Sequence, residues 1–309
     1  MKDLRDQISA EIAKVSVGQQ SVLNQALIAL AVGGHALIEG PPGVAKTMLA
    51  TALARSLGVT FRRVQFTPDM LPSDLTGTMT VRDGTLTFRP GPVFTNVLLA
   101  DEINRTPPKT QAALLEAMQE GQVTVDGVSH PLPRPFLVLA TQNPIEFDGT
   151  YPLPEAQLDR FLIKITAGYP DKEQEIALLR MPRRGLELAA MGTVSPVASA
   201  DSIENAMRSV DGVTVAPDVT AYAAAIVRAT RDQPGVALGA SPRAGVHLLA
   251  ASRAVAALTG RAFVTPDDIA AMALPVLGHR ILMRPEAEIE GYGPTDVLAT
   301  ILRSIPVPR

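Results

Sequence analysis

The 309-residue chain has no cysteine and no tryptophan, and aromatic residues make up only 4% of it. Without cysteine there are no disulfides, no thiolate catalysis and no Cys-ligated zinc, while the compartment stays unread. Histidine is scarce. His35, His130, His247 and His279 are scattered without metal-ligand spacing, so each reads as a structural or surface residue. Long apolar runs are missing as well: Leu23–Val32 is shorter than a bilayer requires and leads into Gly33-Gly34. The opening Met1-Lys2-Asp3-Leu4-Arg5-Asp6 starts no signal-peptide core, and the expectation is a soluble, cytoplasmic protein. A net charge of −3 and a pI of about 5.9 give no domain-wide basic footprint for nucleic acid. What remains is 46% hydrophobic and 19% charged, which suits a large core and, at this length, two domains.

The stretch that organises the chain is Gly40-Pro41-Pro42-Gly43-Val44-Ala45-Lys46-Thr47. It lies between an apolar run, His35–Glu39, and a run of helix formers, Met48–Ala54. A strand, a Gly/Pro turn and a helix in that order aim backbone N–H groups and a helix N-terminus at one anion. Lys46 then reaches the β- and γ-phosphates of a nucleotide, and the Thr47 hydroxyl ligates Mg2+. Ala45 stands where the usual pattern has glycine, which a helical position tolerates because only positive φ demands Gly. An ordinary Gly-rich turn with a surface lysine is the alternative.

Around this loop, residues 3–15 carry Leu4, Ile8, Ile12 and Val15 at helical spacing, and Ser21–Ala31 reads as a second helix. Strands are predicted over 60–66, 96–102, 135–141 and 161–165, with a helix over 107–119. Two of these strands, 96–102 and 135–141, are apolar enough to be buried on both faces. Residues 67–74 are too proline-rich for a regular element. Two hairpins turn on Asp83-Gly84 and Asp126-Gly127 and read as inserts. The fold expected for 1–168 is an α/β doubly wound, mainly parallel sheet. A capping box at Asp171–Gln174 opens a helix to about Arg180, and 169–200 reads as connecting helix and linker, loosest from Met181 to Ala200. Helices opening at Asp201 (Glu204 at N3), Pro217, Pro242 and Pro266, and a last one over 294–304, make 201–309 a small all-α domain.

Asp101 ends an apolar strand where a Mg2+-binding acid belongs. Glu102, facing the other way by strand alternation, is placed to polarise a water for attack on the γ-phosphate. Asn143, at the end of the next strand, would point an amide at that water. Arg160 precedes a core phenylalanine, and Arg243 occupies the first turn of a helix, where the dipole disfavours a cation unless an anion is near. Arginines of this kind stabilise charge on a transferring phosphoryl group, and one supplied in trans ties hydrolysis to assembly.

Several stretches together resemble the MoxR family of AAA+ ATPases: the Gly40–Thr47 loop, Gln65-Phe66-Thr67-Pro68-Asp69-Met70-Leu71-Pro72-Ser73-Asp74, Leu99-Ala100-Asp101-Glu102-Ile103-Asn104-Arg105, Ala140-Thr141-Gln142-Asn143-Pro144 and Pro154-Glu155-Ala156-Gln157-Leu158-Asp159-Arg160-Phe161. The resemblance runs from about Gly18 to Arg280, and within that family Ala before the lysine is ordinary. It implies an AAA+ P-loop NTPase with ATP and Mg2+ as ligands. Gly40 to Met48 (Gly40, Pro41, Pro42, Gly43, Val44, Ala45, Lys46, Thr47, Met48) would be the Walker A binding segment, and Asp101 and Glu102 Walker B. It makes Asn143 sensor 1, Arg160 the arginine finger and Arg243 sensor 2, and it sets Gly18 and Gln19 near the adenine. It also implies a hexameric ring with a chaperone-like remodelling activity on a protein client. The expected partner carries a von Willebrand factor A domain, and the hairpins near 78–90 and 122–134 become the helix-2 and pre-sensor-1 inserts that line a pore.

Other readings stay open at this point. A chelatase-type motor, akin to magnesium chelatase I subunits, fits the same motifs. A non-hydrolysing scaffold is opposed by Glu102. A DNA motor is opposed by the acidic pI and the lack of a basic hairpin.

Overall fold

The structure, a computed structural model, describes residues 1–41, 46–143, 150–180 and 192–308. Its first half runs α1 (Lys2–Ile12), α2 (Gln20–Val32), β1 (Ala36–Glu39), α3 (Lys46–Ser56), β2 (Phe61–Gln65), α4 (Pro72–Thr76), β3 (Gly77–Arg82), β4 (Thr85–Pro90) and β5 (Val97–Asp101). Then come α5 (Pro108–Glu120), β6 (Gln122–Val125), β7 (Val128–Pro131), β8 (Leu137–Gln142), α6 (Glu155–Leu158), β9 (Ile163–Thr166) and α7 (Lys172–Arg180). The rest is α8 (Ala200–Asp211), α9 (Pro217–Ala229), β10 (Val236–Leu238), α10 (Pro242–Leu258), α11 (Pro266–Leu277), β11 (Leu282–Met283), α12 (Pro285–Ile289) and α13 (Pro294–Ser304).

Five strands form one parallel sheet in the order β2-β5-β8-β1-β9. The apolar runs predicted as doubly buried strands are its centre: Val97–Ala100 and Leu137–Thr141 are buried throughout. The edge strand β2 instead exposes Arg62 and Arg63, polar groups that suit an uncovered edge. Strand alternation splits the apolar residues between two cores. Leu37, Leu98 and Val138 join α5 on one face, and Ile38, Leu99 and Leu139 join α2 and α3 on the other. The second of these cores continues into the C-terminal helices, because α10 and α8 pack on α2, and α11 lies along β9.

Both hairpins form around the predicted turns, with Asp83 and Asp126 at φ 50° and 47° and each followed by a positive-φ glycine. Phe88 of one stacks on His130 of the other at 3.9 Å between ring centroids. The capping box at Asp171–Gln174 is present in both directions. Three local expectations change. Residues 67–74 are not wholly irregular, because Pro72 takes the first position of α4, where its missing N–H costs nothing, and the Asp74 carboxylate accepts from the Leu71 N–H. Helix α8 starts earlier than Asp201, with Ser199 as cap and Ser202, not Glu204, at N3. The C-terminal domain also adds a short antiparallel ladder, β10 with β11, to its helices. Residues 181–191 of the expected linker lie outside the described residues. Among the described residues no helix is long and apolar enough to cross a membrane.

Candidate active site

β1 lies between β8 and β9, and the chain leaves it through α3 for β2 at the far edge; the crevice lies at the carboxyl ends of the strands. Gly40 sits there. A Cβ at Gly40 would come within 2.3 Å of the Ala167 carbonyl oxygen just past β9, so the chain can leave the sheet at this point only without a side chain. Pro42, Gly43, Val44 and Ala45 lie outside the described residues. Where the chain is described again, Lys46 opens α3, and its Nζ donates to the Gly40 carbonyl at 2.9 Å, tying the two ends of the loop together. Burial lowers the Lys46 pKa, and the nearby charges of Asp101 and Glu102 work against that fall. Thr47, half-buried, and Met48, buried, follow in the same turn.

Two strands away, Asp101 closes β5. Its Oδ1 accepts from the Thr141 hydroxyl of β8 at 2.6 Å, and its Oδ2 accepts from Arg63 of β2 at 2.7 and 3.1 Å. Glu102 is not aimed by strand alternation. It has left the strand, with φ 59° and ψ 52°, and this left-handed backbone turns the side chain toward Gln65 and Arg105. The Gln65 amide donates to Glu102 Oε2 at 2.5 Å and Arg105 pairs with the same oxygen at 3.0 Å. The Glu102 N–H donates to the Thr141 hydroxyl at 2.9 Å, so one threonine fixes both acids. Next along the edge, Glu39 accepts from Gln142 and pairs with Lys164 at 2.6 Å. Asn143, 9% exposed, follows Gln142 at the end of β8. Gly18, at φ 79°, lies so close to Gln174 that an added Cβ would meet it at 2.5 Å, which sets the 18–19 segment beside the start of α7.

The two arginines are elsewhere. Arg160 lies just before β9, at the amino-terminal edge of the sheet, where the Leu162 N–H donates to the His35 carbonyl ahead of β1. Its guanidinium donates to the Leu115 carbonyl at 3.2 Å and to the Gln119 side chain, both on α5. Arg243, exposed in the first turn of α10, is close enough to His247 and Arg280 to disfavour charge on both. Lys46, Asp101 and Glu102 are therefore brought together and Arg160 is not with them. One strand length, about 13 Å, separates the two edges.

Arg63, Thr141 and Gln65 escaped the reading of single motifs. Gln65 and Thr141 fall inside stretches that carry the family resemblance, and Arg63 shares the face of Gln65 on β2 by the period of two. The missing signal is the sheet order, which alone sets β2 beside β5.

Among the described residues no group of three or more His, Cys, Asp or Glu side chains could hold a metal ion. Comparison with known proteins bears on the chemistry. The family described as "ATPase family associated with various cellular activities (AAA)" matches residues 35–163, and the AAA lid domain matches 228–301. The chain is 46% identical over 299 residues to the uncharacterised protein YeaC of Bacillus subtilis, covering 96% of this chain and 92% of that one. It is 42% identical over 317 residues to Chaperone MoxR1 of Mycobacterium tuberculosis, covering 97% and 81% respectively. The crystal structure of a proposed ATPase from Cytophaga hutchinsonii superposes with a TM-score of 0.92 at 41% identity, covering 100% of this chain and 96% of that one. The chain is accordingly an ATP-hydrolysing enzyme, and it belongs to the MoxR family of AAA+ ATPases.

Proposed function

We propose that this chain is the ATP-driven subunit of a ring in which each nucleotide lies between two copies, and that the ring remodels a protein client as a chaperone. The observation that carries it is the separation of the two sheet edges. Lys46, Asp101 and Glu102 gather at one, while Arg160 stands about a strand length away at the other, with Arg243 near Arg280, whose guanidinium bonds the turn around Arg160. An arginine so placed meets the phosphates of a neighbour rather than those of its own chain.

In this reading the Gly40–Met48 segment cradles the phosphates, Lys46 neutralises them and Gly18 and Gln19 flank the base. Mg2+ fits the donor set. Asp101 keeps a lone pair on Oδ1, Thr47 offers a hydroxyl, and this metal takes few protein ligands and keeps its waters. When bound it supplies charge neutralisation at the phosphate oxygens. Glu102 takes a proton from the attacking water, Asn143 orients that water, and Arg160 and Arg243 of the next copy meet the developing charge. The chaperone role is supported by the name of the Mycobacterium relative. A hexamer, a von Willebrand factor A domain partner and a cytoplasmic setting complete the proposal.

The test is turnover per chain as a function of protein concentration. A site shared between copies makes specific activity rise with concentration and then saturate; specific activity that stays flat down to nanomolar protein overturns it. Capture with Glu102→Gln protein held in ATP then identifies the client.

A further inference from the structure

The turn that carries Arg160 is held from the other domain. Arg280 follows α11 in a short helical turn, Gly278–Arg280, and is 8% exposed. Its Nε donates to Asp159 Oδ1 at 2.6 Å. Its Nη2 donates to the carbonyls of Asp159 at 3.1 Å and Phe161 at 2.7 Å, and its Nη1 to that of Leu162 at 3.2 Å. Three main-chain carbonyls and one carboxylate on both sides of Arg160 thus converge on one guanidinium. His279 reinforces this with a hydrogen bond from its ring to the Phe161 carbonyl at 3.0 Å. The same guanidinium looks back into its own domain. Nη1 donates to the Val276 carbonyl near the end of α11, and Nη2, whose two hydrogens are shared among three acceptors, also donates to Nδ1 of His247 at 2.8 Å. His247 is one helical turn beyond Arg243 on α10, so both lie on the same face.

We propose that Arg280 is a positioning residue for Arg160: it fixes the 159–162 turn to the C-terminal domain, so that Arg243 and Arg160 present themselves as one rigid pair to the neighbour's nucleotide. A planar guanidinium with five donors suits this, because it can bind carbonyls and a carboxylate in one plane, which a lysine ammonium cannot. The hydrogen-bonded path His247–Arg280–Asp159 joins the domains, with Arg243 one helical turn from His247 on α10. Movement of α10 against the sheet is therefore transmitted to Arg160. The inference rests on the shared-site reading above.

Complementation separates the two. Arg280→Gln and Asp159→Asn are each assayed alone and mixed with Lys46→Ala protein, which lacks its own nucleotide but keeps an intact Arg160 turn; Arg160→Ala is mixed in the same way as reference. Asp159→Asn, altering a side chain 31% exposed, gives a result even where Arg280→Gln does not fold. Expected alone is a kcat lowered about tenfold or more, with KM for ATP and nucleotide affinity within normal spread and, for Asp159→Asn, the melting temperature as well, since positioning acts in the transition state. Expected in the mixture is recovery of turnover, as for Arg160→Ala. In the Arg160→Ala background Asp159→Asn should lower kcat less than twofold further. A full tenfold further loss there, or recovery by Arg160→Ala but not by Asp159→Asn or Arg280→Gln, overturns this inference alone. If Arg160→Ala itself does not recover, the shared-site reading falls and this one with it.

Discussion

The two edges of the parallel sheet both collect charge, but they resolve it differently. At the carboxyl edge three cations meet acids within the chain, Arg63 with Asp101, Arg105 with Glu102 and Lys164 with Glu39, while the Lys46 ammonium donates to the Gly40 carbonyl. At the amino edge Arg160 is bonded to neutral oxygens on α5, and Arg280 and Arg243 are close enough for like-charge repulsion, with Asp159 as the carboxylate against Arg280. Apart from Lys46, the cations named at the first edge are paired with acids before any ligand arrives. The second keeps a surplus of positive charge, which an anion brought by a neighbouring copy would complement. On the shared-site reading proposed above, nucleotide binding and the water-activating Glu102 share one end of the strands, and the arginine that meets the developing charge stands at the other.

Breaking the first edge should have the largest consequence. Lys46→Ala is expected to abolish nucleotide binding, followed with a fluorescent ATP analogue, and with it ATP-dependent assembly of that variant on its own, while it can still join a copy that carries nucleotide. A Lys46→Ala protein that still assembles on addition of ATP would show that the edges do not divide the work in this way. Arg160→Ala should be nearly as damaging to rate and harmless to affinity: kcat falls by about 10³-fold while the nucleotide dissociation constant stays within twofold. Equal losses in affinity and rate would place Arg160 at its own chain's nucleotide. Glu102→Gln should lower kcat by about 10²-fold, again with binding intact, because only proton acceptance is removed. Parent-like hydrolysis by that variant would move the base elsewhere.

The smallest effect sharpens the structural side of the comparison. His35 stands ahead of β1 at the amino edge, 6% exposed, and its ring is committed at both nitrogens: Nδ1 accepts from the Val138 N–H and Nε2 donates to the Met118 carbonyl, each at 3.0 Å. Burial pulls its pKa down to about 4, against 6.5 when unfolded. Between those values the unfolded chain binds the extra proton, so the stabilisation is complete above pH 6.5 and is lost as pH falls toward 4. From pH 7 to pH 5 this group costs about 2 kcal/mol. Denaturant titrations should show that fall in the parent and a shallower one in His35→Asn; equal slopes would mean that the ring takes its proton freely.

Much of this was legible beforehand. Val97–Ala100 and Leu137–Thr141 announce doubly buried strands because nothing in them is polar enough for a solvated face, and Asp-Gly pairs announce hairpins because they accept positive φ. Lys46 and Asp101 are readable because Lys46 ends the Gly/Pro loop that follows β1 and Asp101 is the last residue of the apolar strand β5. Arg63 and Thr141 are not, since their meeting with Asp101 depends on which strands are neighbours. Arg280 is further still from view: its partners lie about 120 positions away, across a domain junction that no local pattern encodes.

The left-handed backbone at Glu102 bears on what the chain can become. A residue with a side chain gives up about 1 kcal/mol or more to sit at φ 59°, and glycine or asparagine would sit there more comfortably. Selection for a robust fold alone would thus favour replacing this glutamate, and selection for turnover would favour keeping it. On the role proposed for Glu102, position 102 sets durability against turnover: laboratory evolution toward heat resistance, run without an ATPase requirement, should lose activity there early.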